Sequence, residues 1–156
     1  MRSSMKQGIA RGWGAACFLL LPVLLLGSCM LQSDPRAAVS PGPTPQQART
    51  ELHDVLAQTQ DLTGGDWSDQ DDDAPRSCTV QWGLAGVSYA ALRISASTGS
   101  LESVARAWER WGYDVERTTV GPVSQLVARA SGELLIFRES DRGMTLQGES
   151  ACRPAE

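Results

Sequence analysis

The sequence is poor in the residues that most often perform chemistry. Lys6 is the only lysine and His53 the only histidine among 156 residues. The chain has no G-x-S-x-G, no phosphate-binding loop, no G-x-G-x-x-G and no H-E-x-x-H. Histidine-based catalysis would rest on His53 alone, with no second motif to supply a partner, so a general base or metal ligand is the less favoured interpretation of this residue. We therefore predict a protein that is not an enzyme and binds no cofactor.

A hydrophobic run long enough to span a membrane is also absent. The strongly apolar stretch from Ala15 to Leu26 has 12 residues, whereas a transmembrane helix needs about 20. Arg2, Lys6 and Arg11 precede this stretch and no acidic residue does, while the small residues Gly27-Ser28 follow it. A basic segment, a short apolar segment and small residues are the three parts of an export signal.

Leu26-Gly27-Ser28-Cys29 resembles the bacterial lipobox. The resemblance implies that Cys29 becomes the mature N-terminus and carries a thioether-linked diacylglycerol; an ordinary secretory signal with a chance cysteine is the alternative. Two acyl chains anchor a protein stably, since each buried CH₂ contributes about 0.8 kcal/mol. We expect a lipid-anchored protein at the cell membrane, facing the extracytoplasmic side.

Three segments follow from this interpretation: a signal peptide at 1–28, a proline-rich tether at 29–44 and one domain at 45–156. The signal holds three of the 14 basic residues and none of the 18 acidic ones, so the remainder carries a formal charge of −7. This charge argues against binding to nucleic acid and against electrostatic binding to anionic lipid. Frequent arginine, alanine and glycine with one lysine look like a high-GC bacterial genome, typical of actinobacteria.

The cysteines form a simple set once the signal is set aside. Cys17 leaves with the signal and Cys29 is acylated, so Cys78 and Cys152 remain. Outside the cytoplasm such a pair is expected to form a disulfide, with free or intermolecular thiols as the alternative. A zinc site would need two more ligands, and the chain has no C-x-x-C. We predict no metal site.

Helical periodicity appears twice. Thr44-Pro45-Gln46-Gln47 predicts a capping box that begins a helix, and Gly64-Gly65 ends it. His53 and Asp54 lie off its apolar stripe and are expected to face water. Ser100 caps a second helix that ends at Gly112. The two apolar stripes comprise Ala48, Leu52, Val55, Leu56, Thr59 and Leu62, and then Leu101, Val104, Ala105, Trp108 and Trp111.

The other segments alternate with period two or are continuously apolar. They predict strands at 79–82, 87–95, 114–120, 123–130, 133–139 and 144–152, joined by glycine-containing turns. Leu134-Leu135-Ile136-Phe137 is apolar on both faces, which predicts the central strand, covered on both sides. The expected fold is α+β: an antiparallel sheet of about five to six strands with two helices packed on one face, in the order α-β-β-α-β-β-β-β.

The segment 66–73 is strongly acidic. Asp69, Asp71 and Asp73 alternate like the first ligands of an EF-hand loop, but Ala74 stands where glycine is required and Val80 where glutamate is required. A solvated loop is therefore favoured over a cation site.

Four tryptophans are possible ligand or partner contacts: Trp67, Trp82, Trp108 and Trp111. Aromatic side chains at helical spacing more often belong to a core, which favours a buried role for Trp108 and Trp111. We expect Trp67 to fold back onto the core and Trp82 to lie on a strand.

The chain also resembles the LppA-like group of small actinobacterial lipoproteins. The features that carry this resemblance are the lipobox, Gly65-Asp66-Trp67 after the first helix, Cys78, the W-x-x-W-G-Y of Trp108 to Tyr113, and Cys152. It implies an α+β envelope domain without an assigned reaction. We expect a non-enzymatic binding or accessory module that contacts an envelope protein or a small ligand. A cell-wall hydrolase that uses carboxylates such as Glu133 or Asp141 is the alternative.

Overall fold

The computed structural model describes residues 42–155. Two helices and eight strands follow one another in the order α1, β1, β2, β3, α2, β4, β5, β6, β7, β8. Their bounds are α1 Pro45–Thr63, β1 Ser68–Asp69, β2 Asp72–Thr79, β3 Ala85–Ser95, α2 Leu101–Arg110, β4 Asp114–Val120, β5 Val123–Ala130, β6 Glu133–Ser140, β7 Gly143–Glu149 and β8 Arg153–Pro154.

All pairings in the sheet are antiparallel. The long strand β3 pairs along one side with β1 and β2, and along the other with β7 and β8; β6, β5 and β4 then follow β7 in space. The short strands β1 and β8 extend β2 and β7 along β3, so the sheet is six positions wide. This architecture confirms the predicted α+β fold, with one helix before the strands and the other among them. The short strands β1 and β8 bring the number of strands to eight, above the predicted five to six.

The first helix begins as its sequence predicts. The Thr44 hydroxyl accepts a hydrogen bond from the Gln47 amide, and the Gln47 side chain accepts one from the Thr44 amide at 2.7 Å. The expected position of Leu62 is wrong, since 42% of this residue is exposed. Thr63 takes the inner position of the last turn instead, next to Gly99.

Both helices pack on one face of the sheet. Trp108, at the centre of the core, is fully buried, and its indole Nε1 donates to the Thr59 hydroxyl of α1 at 3.0 Å. Tyr113 follows the positive-φ Gly112 and folds back onto the core, with its ring centroid 6.5 Å from that of Trp108. The other fully buried large side chains include Leu52, Leu56, Leu126, Leu135, Phe137 and Leu146.

The hairpins from β4 to β7 agree closely with the predicted strands. Ser131 (φ 49°) and Gly132 (φ 88°) join β5 to β6 through a two-residue turn with positive φ at both positions. Such turns match the twist of antiparallel strands. The predicted last strand, 144–152, ends early at Glu149, because the chain leaves the ladder between Ser150 and Cys152; β8 follows outside the predicted range.

The central strand β6 is covered on one face only. Leu135 and Phe137 are buried under the helices, while Leu134 and Ile136 point to the opposite face and are half-buried. No element within residues 42–155 lies over that face. The expectation of cover on both sides is therefore wrong; long polar side chains such as Arg138 and Gln147, joined by a hydrogen bond on that face, provide partial shielding instead.

The first strand region is shifted from its predicted position. β2 spans Asp72–Thr79, and Gln81–Gly83 form a short 3-10 turn, so Trp82 lies outside the sheet. The acidic segment is not a free loop, since β1 and the start of β2 pair with β3. Neighbouring arginines neutralise these carboxylates and allow the pairing, as described below.

The predicted disulfide between Cys78 and Cys152 is present, with Cα atoms 6.1 Å apart and a sequence separation of 74. It lies over Gly86 of β3, where a Cβ atom would come within 2.6 Å of the Cys152 sulfur. Cys29, the signal and most of the tether lie outside the described residues. No helix within residues 42–155 combines the length and apolarity that crossing a membrane requires.

Candidate functional site

A pocket of about 280 Å³ opens where several elements end together. The first turns of α1, the end of α2, the β5–β6 turn and the segment leading into β8 form its walls. We call it the Glu133 pocket. Its lining comprises Ala48, Glu51, Val55, Trp111, Tyr113, Ala130, Ser131, Glu133, Ala151 and Arg153.

The polar groups of the Glu133 pocket are incompletely paired. The Tyr113 hydroxyl donates to Oε2 of Glu133. The other carboxylate oxygen, Oε1, is buried without a hydrogen-bond partner among the described residues, and so is Nε of Arg153. Most buried polar atoms in proteins are hydrogen bonded, so two such atoms in one pocket call for an explanation.

Burial governs the charge state of this pair. It raises the pKa of Glu133, and nearby Glu51 adds to this rise, whereas the Tyr113 hydrogen bond and Arg153 oppose it. Burial and the adjacent Glu133 carboxylate raise the pKa of Tyr113, so its phenol stays protonated at neutral pH. The pocket therefore presents a protonated phenol donor next to a poorly solvated carboxyl group.

We predict that Glu133→Gln stabilises the protein at neutral pH. Because the pKa of Glu133 is higher in the folded than in the unfolded state, the folded state binds more protons between these two pKa values. The stabilisation that the Glu133 carboxyl gives is complete below the pKa that it has in the unfolded state. This stabilisation is lost as the pH rises through the pKa that it has in the folded state. Melting temperatures across pH 4 to 8 measure this.

The expected result is a higher melting temperature for Glu133→Gln than for wild type at neutral pH and a smaller difference near the unfolded pKa. Glu51→Gln, at an exposed position nearby, provides the matched control and should change the pH profile less. Parallel profiles for wild type and Glu133→Gln would contradict the assignment.

The four predicted tryptophan contacts lie in different environments. Trp111, 37% exposed, lines the Glu133 pocket, so its predicted core position is only partly realised. Trp108 is fully buried, as predicted, and is therefore inaccessible. Trp67 is half-buried against the core, also as predicted, and donates from Nε1 to the Gly64 carbonyl at 3.0 Å. Trp82 is 95% exposed. These residues do not form a single site.

A second depression, of about 300 Å³, lies on the sheet face opposite the helices. Its floor is largely apolar and its rim is polar. Ser88 on the same face donates to Glu149 at 3.1 Å. The lining includes Gln70, Asp72, Arg76, Ala90, Leu92, Leu134, Ile136, Gln147 and Glu149.

The prediction that His53 faces water holds only in part, since the residue is half-buried. Its Nδ1 lies 3.2 Å from a guanidinium nitrogen of Arg93, a residue only 5% exposed, and 3.8 Å from Asp71. Arg93 also pairs with Asp71 and, at 2.8 Å, with Asp69. This cluster ties α1, β3 and the acidic segment together. Buried charges are tolerated when paired in this way, so a structural role explains all four residues.

Carboxylates of the acidic segment form ion pairs with arginines. Asp73 pairs with Arg49, whose guanidinium lies 5.2 Å from the centroid of the Tyr89 ring. Within the described part of the chain, no three His, Cys, Asp or Glu side chains are grouped so that they could hold a metal ion.

Glu133 and Asp141 lie beyond reach of each other. Glu133 begins β6 and Asp141 follows its last residue, so about eight residue steps separate them, or roughly 26 Å along a strand at 3.3 Å per residue. Paired carboxylates in glycosidases are about 5–9.5 Å apart. Glu133 and Asp141 therefore cannot act as one catalytic pair.

Sequence reasoning missed the Glu133 pocket. Recognisable ends of helices or strands lie next to Tyr113, Glu133 and Arg153. The sequence alone does not show that these three ends meet in space. Comparison with known proteins supplies no further assignment, since no family model, curated protein or solved structure matches the chain.

Proposed function

We propose that the chain is an exported lipoprotein, akin to the LppA-like group and anchored through Cys29 on the extracytoplasmic side of the cell membrane. The export signal and the lipobox in the sequence support this proposal. The Cys78–Cys152 disulfide is consistent with it, since disulfides persist in oxidising compartments and are rare in the cytosol.

The domain is proposed to act as a non-enzymatic binding module, and the Glu133 pocket is the observation that carries this proposal. Ligand sites are concave, mostly apolar and furnished with a few polar groups that fix orientation. Here Trp111 and Tyr113 supply aromatic wall, while Glu133 and Arg153 supply an acceptor and a donor that lack partners.

These groups favour a ligand that carries both a hydrogen-bond donor and an acceptor on a small apolar body. A peptide amide meets this requirement: its N–H can approach the Glu133 carboxylate and its carbonyl the Arg153 guanidinium. Reaching Oε1 and Nε requires a small side-chain movement, because both atoms are shielded from solvent. Glu51 near the pocket adds negative charge and favours a ligand with an amino group.

Thermal-shift measurements with peptidoglycan fragments that carry stem peptides test this function. We expect such fragments to raise the melting temperature of wild type and of Trp82→Ala, which alters an exposed tryptophan outside the pocket. Trp111→Ala should abolish the shift while leaving the unliganded fold intact by circular dichroism. If none of the fragments raises the melting temperature and pull-down from detergent-solubilised membranes recovers no reproducible partner, the binding function is contradicted.

A cell-wall hydrolase is the second candidate, and the raised pKa of Glu133 is the observation that favours it. A raised pKa lets a carboxyl group keep its proton to higher pH, which suits it to act as a general acid. This candidate predicts release of soluble fragments from peptidoglycan by wild type and complete loss of release in Glu133→Gln. Equal release by the two proteins would contradict the role of Glu133.

A further inference from the structure

Two strongly exposed large apolar side chains of the domain lie in one short turn. Trp82 is 95% exposed and Leu84 60% exposed, and residues 79–85, apart from the half-buried Val80, are all exposed. The amide of Val80 donates to the Leu84 carbonyl at 3.0 Å, so the loop is closed by its own hydrogen bond. We call residues 80–84 the Trp82 turn.

The conformation of Trp82 is unfavourable for a bulky residue. Its φ of 67° lies in the left-handed region, which costs roughly 1–2 kcal/mol for residues other than glycine. The side chain makes almost no compensating contact, since it is nearly all exposed. Strained backbone positions cluster at functional sites. A contact outside the domain would offset both the strain and the exposure of the indole.

The Trp82 turn lies at the end of the domain where the chain enters it. The helix α1 runs beside β3 in the same direction: Arg49 lies over the ring of Tyr89, and further along Gly65 adjoins Ser97. The first residue of α1 is therefore at the same end as Ala85, the first residue of β3. Ala85 follows the Trp82 turn directly. Residues 29–44 thus lead from the proposed anchor to the end that carries Trp82.

The segment that carries the turn contains no negative charge. No Asp or Glu stands between Asp73 and Glu102, although the chain beyond the signal carries a formal charge of −7. The charged residue nearest to the turn in sequence is Arg76, which is exposed. This segment itself would therefore not repel an anionic membrane surface.

We propose that Trp82 and Leu84 insert into the lipid interface of the membrane that holds the protein. The contact rests on the proposed anchoring through Cys29, which confines the domain near the bilayer. Tryptophan favours the interfacial layer because its ring is apolar and its N–H remains able to bind polar groups. The Trp82 turn then acts as a second point of contact that orients the domain and directs its opposite end away from the membrane.

Quenching of tryptophan emission by brominated lipids tests this contact. The processed full-length lipoprotein is reconstituted into vesicles of phosphatidylcholine and phosphatidylglycerol, with or without bromine on the acyl chains. We expect Trp82→Ser to remove most of the quenching seen in wild type. Trp111→Phe, the control for a partly exposed tryptophan in a wall of the Glu133 pocket, should retain most of it.

A second variant tests the orientation. Val120 ends β4 at the opposite end of the sheet and is 69% exposed. Placing Val120→Trp in the Trp82→Ser background should give emission that iodide in solution quenches and brominated lipid does not. Restoration of lipid quenching by this tryptophan would overturn the proposed orientation.

Unchanged lipid quenching in Trp82→Ser would overturn the insertion itself, as would cross-linking of Trp82 to a membrane protein together with an absence of lipid quenching. Both results leave the anchor intact, because Trp82→Ser should still require detergent for release. Release of wild type without detergent would instead contradict the anchoring on which the proposed function depends.

Discussion

Replacing Cys78 and Cys152 together by serine is expected to lower the free energy of unfolding by about 4 kcal/mol, the value that loop-closure entropy gives for a loop of this length. The bridge closes a loop between two positions with a sequence separation of 74. This loop includes β3, α2 and the hairpins up to β7. Without it, the unfolded chain regains the entropy of this long loop. A small domain is stabilised by only about 5–15 kcal/mol, so this loss is a large fraction of its stability.

The bridge has a local role as well. It joins the end of β2 to the segment between β7 and β8, and these two lie on opposite sides of β3. The attachment of β8 depends on a short pairing, since β8 meets β3 at only Gly86 and Val87, and β2 is an edge strand that pairs with β3 alone. We therefore expect faster amide exchange in β2 and β8 of the double variant, while β5 and β6 change less.

Chemical denaturation of wild type and of Cys78→Ser/Cys152→Ser, each monitored with and without reductant, measures this effect. Reduced wild type should unfold at the same denaturant concentration as the double variant, which separates the bridge from the serine substitutions. An unchanged unfolding midpoint in the double variant would show that the bridge contributes no stability.

Truncation of Trp108 to alanine is expected to destabilise the domain by about 3–5 kcal/mol, the range found for large aromatic side chains in cores. Trp108 is fully buried between the two helices and the sheet. Its loss leaves a cavity and also leaves the Thr59 hydroxyl without its indole partner. Equilibrium unfolding by circular dichroism provides the free energy.

The hydrogen bond can be separated from the packing by a double-mutant cycle. Thr59→Val alone leaves the buried indole N–H without a partner and should cost about 1–3 kcal/mol. In the background of Trp108→Phe the same change should cost clearly less. Equal costs in the two backgrounds would contradict the Trp108–Thr59 bond. A loss of less than about 1 kcal/mol for Trp108→Ala would contradict the central packing position of the ring.

Local signals predicted most of the architecture. The Thr44 capping box, the Ser100 cap and the Gly112 end of α2 depend on residues a few positions apart, so the sequence displays them directly. The hairpin turns at 121–122 and 131–132 likewise combine glycine with alternating flanks. Each of these expectations is confirmed within one or two residues.

The errors and omissions arise where distant residues decide the outcome. The position of His53 off the apolar stripe of its own helix predicts exposure, yet Arg93, 40 positions away, brings it into an ion cluster. The first predicted strand contains Trp82, whereas the strands that pair with β3 lie earlier in the chain and include part of the acidic segment. The Glu133 pocket forms because the ends of three secondary-structure elements meet. A sequence pattern records spacing along an element and contains little information on which elements become neighbours.

Intact-mass and peptide mass spectrometry of the protein from the membrane fraction tests the anchoring proposal most directly. The proposed function predicts a chain that begins at Cys29, carries acyl groups on that residue, and has Cys78 and Cys152 resistant to alkylation until reduced. A chain with an unmodified Cys29, or one that still retains residues 1–28 in the membrane, would contradict it.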